Sequence, residues 1–287
     1  TTPKPPGPAQ ALPKTRHGDV LGEDRKGVEE VDDLVGKEVV VLAQLAVLGG
    51  QALGRTYAHE FAAQGAIPVI AELNAENGNR VVQEIEQKGG KAICVQTDVS
   101  QEADTKAMAE AALSAFGRID CLINNAAVFS QITIAPFWEL PVEEWQSAMR
   151  VNIDGAFFCS RAVVPAMQER KWGRIINIAS TTVPTGRANY LHYITSKSAM
   201  IGMTRSMARE LGEWNITAHL FMPGAVETEV ERPSVSGAMF DNLAKQQAIQ
   251  RPATMDEYAG FMLFLCSDDA EFTTGQTFAA NGGIAFL

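Results

Sequence analysis

The feature that most constrains this chain is the texture of its apolar runs. KEVVVLA (37–43), IPVIAEL (67–73), KAICVQTDV (91–99), IDCLINNAA (119–127), WGRIINIAS (172–180) and NITAHLFMPG (215–224) are near-continuous, not alternating. A strand with one wet face alternates apolar and polar residues, whereas a strand covered on both faces does not. Between these runs lie segments with helical periodicity, at 54–66, 75–90, 101–117, 141–170, 193–212 and 255–267, and QTFAANGG (276–283) reads as a last strand. Strand and helix in alternation, with the strands buried on both sides, predict an α/β fold. It is a single Rossmann-like, doubly wound parallel sheet with helices on both faces. Right-handed crossovers then bring ligand chemistry to the carboxyl ends of the strands.

Charge narrows the partners. The 287 residues carry 34 Asp and Glu against 24 Lys and Arg, a formal net charge of −10. That argues against nucleic acid, whose binders need a basic face, and against a polybasic membrane anchor. No apolar run approaches the ~20 residues of a membrane helix. Residues 1–35, rich in proline and charge, read as an N-terminal extension to a domain spanning 36–287. The four cysteines (Cys94, Cys121, Cys159, Cys266) have no CxxC spacing and read as reduced thiols. With no apolar leader visible at the N-terminus, the expected location is the cytoplasm. The four histidines have no metal-ligand spacing, so no metal site is expected.

The strongest chemical signal is Tyr193-Ile-Thr-Ser-Lys197 at the start of a helical segment. Residues four apart share one helix face, and an ammonium beside a phenol favours the phenolate. Tyr193 is therefore a candidate proton donor and acceptor near neutral pH. Ser180, ending the strand RIINIAS, is placed to hydrogen-bond a substrate oxygen held against it. Asn152, in VNIDG, is a candidate to hold a water that relays protons to Lys197.

With these residues in hand, the stretch from about Lys37 to Gly283 resembles the short-chain dehydrogenase/reductase superfamily. The matching pieces are Asp98-Val99, NNAA at 124–127, VNIDG around Asn152, INIAS around Ser180, YITSK at 193–197, PGAVET at 223–228 and the closing SDDAEFTTGQTFAANGG. From Trp138 onward it looks most like NAD-dependent dehydrogenases of aromatic secondary alcohols, of the 1-phenylethanol type. The resemblance implies a catalytic set of Asn152, Ser180, Tyr193 and Lys197. It also implies cofactor contacts at Glu72 (adenosine ribose hydroxyls, favouring NAD(H)), Asp98 and Val99 (adenine), Asn125 (cleft), and Val226 and Thr228 (nicotinamide carboxamide). A homodimer or homotetramer is implied as well, and a lid over the substrate at about 227–251.

The resemblance breaks at the phosphate loop. Where the family has TGxxxGxG, this chain has VVVLAQLAVLGGQALGRTYA, leaving Gly49, Gly50, Leu53 and Gly54 as the candidate cradle, with Leu48 and Ala52 at the first two glycine positions. Phosphate oxygens approach bare backbone N–H groups at a helix start, and glycine permits that approach. Phe221 and Met222 are bulkier than the family pattern near the nicotinamide end and are candidates to fill the pocket that the ring would occupy. Three readings follow. One is an NAD(H)-dependent dehydrogenase or reductase of apolar or aromatic alcohols and ketones. The second needs no cofactor, and is a lyase, dehydratase, isomerase or cyclase using the same Ser/Tyr/Lys set. The third, a binding relative without catalysis, ranks last because all four polar residues are in place. The apolar stripe of Met239, Phe240, Leu243 and Ile249 reads equally as packing onto the core or as one wall of an apolar or aromatic small-molecule pocket, and Phe129, Phe137 and Trp138 as the opposite wall or as core or subunit contact. His219 is expected to be a structural hydrogen-bonding residue.

Overall fold

The computed structural model describes residues 38–42, 52–129, 132–226 and 237–287, all within the compact unit Asp33–Leu287. Seven strands among the described residues form one parallel sheet: β1 (Glu38–Leu42), β2 (Ile67–Glu72), β3 (Ile93–Gln96), β4 (Cys121–Asn124), β5 (Gly173–Ile178), β6 (Ile216–Pro223) and β7 (Thr277–Ala280). Their spatial order is β3-β2-β1-β4-β5-β6-β7, and every pairing is parallel. The order reverses between β1 and β4, so the crevice between halves opens at their carboxyl ends.

The helices are α1 (Ala52–Ala63), α2 (Ala75–Gln87), α3 (Glu102–Phe116), α4 (Val142–Met149), α5 (Gly155–Arg170), α6 (Thr182–Thr185), α7 (Leu191–Leu211), α8 (Gly237–Gln246) and α9 (Met255–Cys266). The strands send successive side chains to opposite faces, and each face is apolar, which explains the continuous runs. Leu122, Ile175 and Ala218 pack under α3, α5 and α7 with Met108, Cys159, Val163 and Met167. Their neighbours Ile123, Ile176 and Phe221 pack on the other face against α1 and α9, through Tyr57, Phe61, Tyr258 and Met262. Ile70 joins α1 and α2 through Ala58, Val81 and Ile85.

Local signals set the element ends. Asn74 caps α2, its side chain accepting from the N–H groups of Glu76 and Asn77. Thr254 and Glu257 close a capping box on α9. Gly117 ends α3 at φ +73°, in the left-handed region that favours glycine.

One element differs from the sequence expectation. The stretch 141–170 reads as a single helix, but its hydrogen bonds widen to a π turn over Arg150–Asp154, between α4 and α5. Such turns insert one residue into the helical ladder and re-aim side chains. Gly155 follows at once: a Cβ there would stand 2.8 Å from Val99 Cγ2, so only glycine lets α5 pass this close to the loop after β3.

Candidate active site

A cleft of about 740 Å³ opens at the carboxyl ends of the strands. One end is walled by Leu53 and Gly54 from the start of α1 and by Glu72 from the end of β2, and the other by Ser180, Tyr193 and Lys197. Asn125 after β4 and Val226 after β6 line its length. Eight of the expected site residues therefore share one cavity. Gly49, Gly50 and Thr228 lie outside the described residues, as do residues 1–35 and the first ten of the expected lid.

Ser180 follows β5, and the hydrogen bonds around it define what its hydroxyl can do. Its Oγ accepts from the Thr182 N–H (3.2 Å) and the Thr182 hydroxyl (2.9 Å). A hydroxyl has two lone pairs and one proton. With both lone pairs engaged, the proton is left to donate to an oxygen in the cleft.

Tyr193 and Lys197 sit one turn apart near the start of α7, and both are buried. The Lys197 Nζ lies 6.0 Å from the Tyr193 ring centroid and donates to the carbonyl oxygen of Ile178 at 2.7 Å. That bond joins α7 to the end of β5, two residues before Ser180, so the three functional groups converge by construction. Burial pushes the Lys197 amine down from 10.5 to about 7. The charge that the sequence places beside the phenol thus comes and goes near neutral pH.

Asn152 was expected to hold a relay water; its side-chain amide spends one acceptor and one donor site on protein. Its Oδ1 accepts from the Val128 N–H (2.8 Å), and its Nδ2 donates to the Ser196 Oγ (2.9 Å). Ser196 in turn donates to the backbone carbonyl of Tyr193 at 2.8 Å. Asn152, set in the π turn, is a buried strut joining the loop after β4 to the turn that carries Tyr193. It does not line the cleft. Beneath it a buried amide pair spans β4 and β5: Asn124 Nδ2 donates to Asn177 Oδ1 at 2.8 Å, and Asn177 donates to Thr204 of α7.

Two more expectations shift. Asp98 and Val99 do not line the described cleft. Asp98 accepts from the Ser100 N–H at 2.9 Å, and Val99 is core, packed on Gly155. Phe221 and Met222 do not fill the nicotinamide end. Phe221 stacks on Phe261 with centroids 5.5 Å apart, and Met222 packs with Ala156, Ala179 and Met200. Both are fully buried on β6, because alternate residues of a strand covered on both faces point into core whichever way they face. Pro223 is the residue that reaches the cleft.

Of the expected aromatic wall, Phe129 lines the cleft and packs against Tyr193 at 4.6 Å. Phe137 and Trp138 instead face solvent and pair edge-to-face with each other at 5.1 Å. On α8, Phe240 and Leu243 face the cleft, while Ile249 lies past the helix end and is 58% exposed. His219 is structural as expected. It is buried, with Nε2 3.4 Å from the Thr273 hydroxyl, and burial pushes its pKa down to about 4.

The sequence reading missed Thr182 and Arg187. Both lie between Ser180 and Tyr193, where a hydroxyl two residues past the serine and a lone cation were the available signals.

Comparison with known proteins agrees with this geometry. Residues 47–285 match the family described as enoyl-(acyl carrier protein) reductase. An uncharacterised oxidoreductase of Mycobacterium tuberculosis is 36% identical over 246 residues, covering 84% of this chain and 97% of the relative. The chain belongs to the short-chain dehydrogenase/reductase superfamily. Among solved members, a short-chain dehydrogenase/reductase from Serratia marcescens superposes with TM-score 0.79 at 30% identity, over 88% of this chain and all of that one. A 7α-hydroxysteroid dehydrogenase complexed with NADH and 7-oxo glycochenodeoxycholic acid superposes with TM-score 0.81 at 31% identity, over 88% and 97%. The superfamily accounts for the enzyme class, a dehydrogenase or reductase on a Rossmann-like fold.

Proposed function

We propose that this superfamily member interconverts secondary alcohols and ketones of apolar or aromatic character, using NAD(H). The observation that carries the reading is the convergence of a donating Ser180 hydroxyl, the Tyr193 phenol and the buried Lys197 amine in one cleft, with Glu72 at its far end.

The residues fit a dinucleotide. Glu72 is a buried carboxylate, 3% exposed, whose Oε1 accepts from the Asn74 N–H at 3.1 Å. Gly78 keeps α2 close against it, since a Cβ there would meet the Glu72 Cβ at 3.2 Å and also the Cys94 sulfur. A carboxylate accepts from ribose hydroxyls and repels a 2′-phosphate, which favours NAD(H). The cavity volume lies in the range of small-molecule sites. Lys197 at the other end would donate to the second ribose.

A bound nicotinamide supplies the hydride acceptor or donor. The chain's own residues manage the oxygen. Ser180 donates to the substrate oxygen and orients it against Tyr193. In the oxidative direction Tyr193 takes the hydroxyl proton as the C–H bond gives up its hydride, and in reduction it returns that proton to the new alkoxide. Lys197, when charged, stabilises the phenolate. Phe129, Phe240 and Leu243 supply the apolar wall that supports an aromatic substrate. The tests are calorimetric titration with NADH and NADPH, and turnover of 1-phenylethanol by Tyr193→Phe. NADH is expected to bind, and the variant to lose about 10³-fold or more in kcat while keeping its fold. Binding of neither nucleotide, or full activity in the variant, refutes the reading.

A further inference from the structure

Ser180 and Thr182 set a pair of hydroxyls on the wall of the cleft, with their oxygens 2.9 Å apart. Thr182 opens α6, and its backbone N–H also donates to the Ser180 Oγ, at 3.2 Å. Two hydroxyl oxygens in such contact have one proton between them. When Ser180 gives its own proton to an oxygen in the cleft, the proton between the pair is the one from Thr182. The Thr182 hydroxyl is then spent as a donor and keeps two lone pairs. Among the described residues no donor reaches its Oγ1. The neighbouring threonine hydroxyls serve the backbone: Thr181 donates to the Pro223 carbonyl at 3.0 Å and Thr185 to the Thr181 carbonyl at 3.1 Å. The pair thus offers a donor, Ser180, beside an acceptor, Thr182, in a cleft whose other side is the apolar wall of Phe240 and Leu243. An acceptor sheltered in such a place favours a ligand that brings it a proton.

We propose that the cleft selects vicinal diols and α-hydroxy ketones on an apolar or aromatic body, and that Thr182 determines this specificity by accepting from the second hydroxyl. Oxygens on adjacent carbons stand about 3 Å apart when they lie on the same side of the bond, the spacing of two hydrogen-bonded oxygens. They therefore match the Ser180–Thr182 pair: the reacting oxygen accepts from Ser180, and its neighbour donates to Thr182. The inference deepens the dehydrogenase reading and rests on Ser180 and Tyr193 marking the reacting carbon. In oxidation of a diol the reacting carbon loses its hydrogen as hydride to NAD⁺, and its hydroxyl proton passes to Tyr193. The second hydroxyl is unchanged, so the products are an α-hydroxy ketone, NADH and one proton.

The test uses three ketones: 2-hydroxyacetophenone, 2-methoxyacetophenone and acetophenone. The first carries the second oxygen with its proton, the next carries that oxygen without one, and the last lacks it. Each is titrated calorimetrically into the full chain with NAD⁺ present, which cannot reduce them. Wild-type protein is expected to bind the hydroxy ketone at least about fivefold tighter than either of the others. Thr182→Val is expected to bring that ratio to within about twofold of one, and Thr182→Ser to keep it because serine keeps the hydroxyl. Thermal melts confirm that both variants are folded. Equal binding of the hydroxy and methoxy ketones by wild type, a ratio unmoved by Thr182→Val, a ratio lost equally in both variants, or no binding of any ketone overturns the proposal. Oxidation of NADH by each ketone is followed separately. A Thr182-dependent preference in binding with no turnover of any ketone defeats the dehydrogenase reading and leaves the hydroxyl site standing. Turnover of all three with equal kcat/KM does the reverse.

Discussion

Replacing Lys197 with methionine should stabilise the protein while destroying its activity, and the gain should depend on pH. Burial holds the Lys197 amine down to about 7 from an ordinary 10.5. At pH 6 the amine is charged in both the folded and the unfolded chain, and the folded chain bears the full penalty of the buried charge, on the order of 5 kcal/mol. As the pH rises from about 7 towards 10.5, the folded chain has released its proton while the unfolded chain still holds one. The unfolded state then binds more protons, so stability rises with pH, and at pH 9 roughly 2 kcal/mol of the penalty remains. Methionine is similar in length and carries no charge, but it leaves the Ile178 carbonyl without its donor, which costs about 1–3 kcal/mol. The difference is a variant roughly 2–4 kcal/mol more stable than wild type at pH 6 and nearly equal to it at pH 9. For a domain of this size that is a melting temperature higher by roughly 5–15 °C at pH 6, closing to within a few degrees at pH 9. Calorimetric or circular-dichroism melts of both proteins at the two pH values read the effect, and turnover should be lost at both. A variant that melts below wild type at pH 6, or a gap that does not shrink as the pH rises, would refute the argument that Lys197 is held in place against its own solvation.

The other predictions concern the strut and the cofactor end. Asn152→Ala removes the acceptor of the Val128 N–H and the donor to Ser196, both buried, so urea titration should show a loss of about 2–3 kcal/mol. Its kcat should fall more than its KM changes, because the turn carrying Tyr193 loses its brace, and an unchanged kcat would return Asn152 to a purely structural role. Glu72→Ala removes the carboxylate that disfavours a 2′-phosphate, so the ratio of kcat/KM with NADH to that with NADPH should drop about tenfold or more. An unchanged ratio would place cofactor choice elsewhere.

The convergence of the proposed catalytic residues was legible because helical spacing is rigid. Two residues four apart on a helix must share a face, so Tyr193 and Lys197 were bound to meet, and a serine closing a buried strand had to emerge at the same sheet edge. Legibility fell away where a role depends on which partner a polar group finds. Asn152 stands in the sequence position of a site residue, yet the π turn aims its amide at Val128 and Ser196. Phe221 and Met222 looked like fillers of the cleft, but strand pleating sends one to each side of the sheet. Arg187 was passed over because a lone arginine in a loop has no periodicity to mark it.

The chain's sequence alone settles the layered parallel sheet, since repeated near-continuous apolar runs alternating with helical segments are best buried between two layers of helices. It also settles the phenol–amine pair, since one turn of helix leaves no freedom in their separation. Tertiary packing decides what depends on contacts distant in the chain: the bonds that aim the Asn152 amide at Val128 and Ser196, the bond from Lys197 to Ile178, and the depth that pulls the Lys197 amine towards neutrality. Those properties come from solvent exclusion and from partners on other elements, and neither is encoded in local spacing.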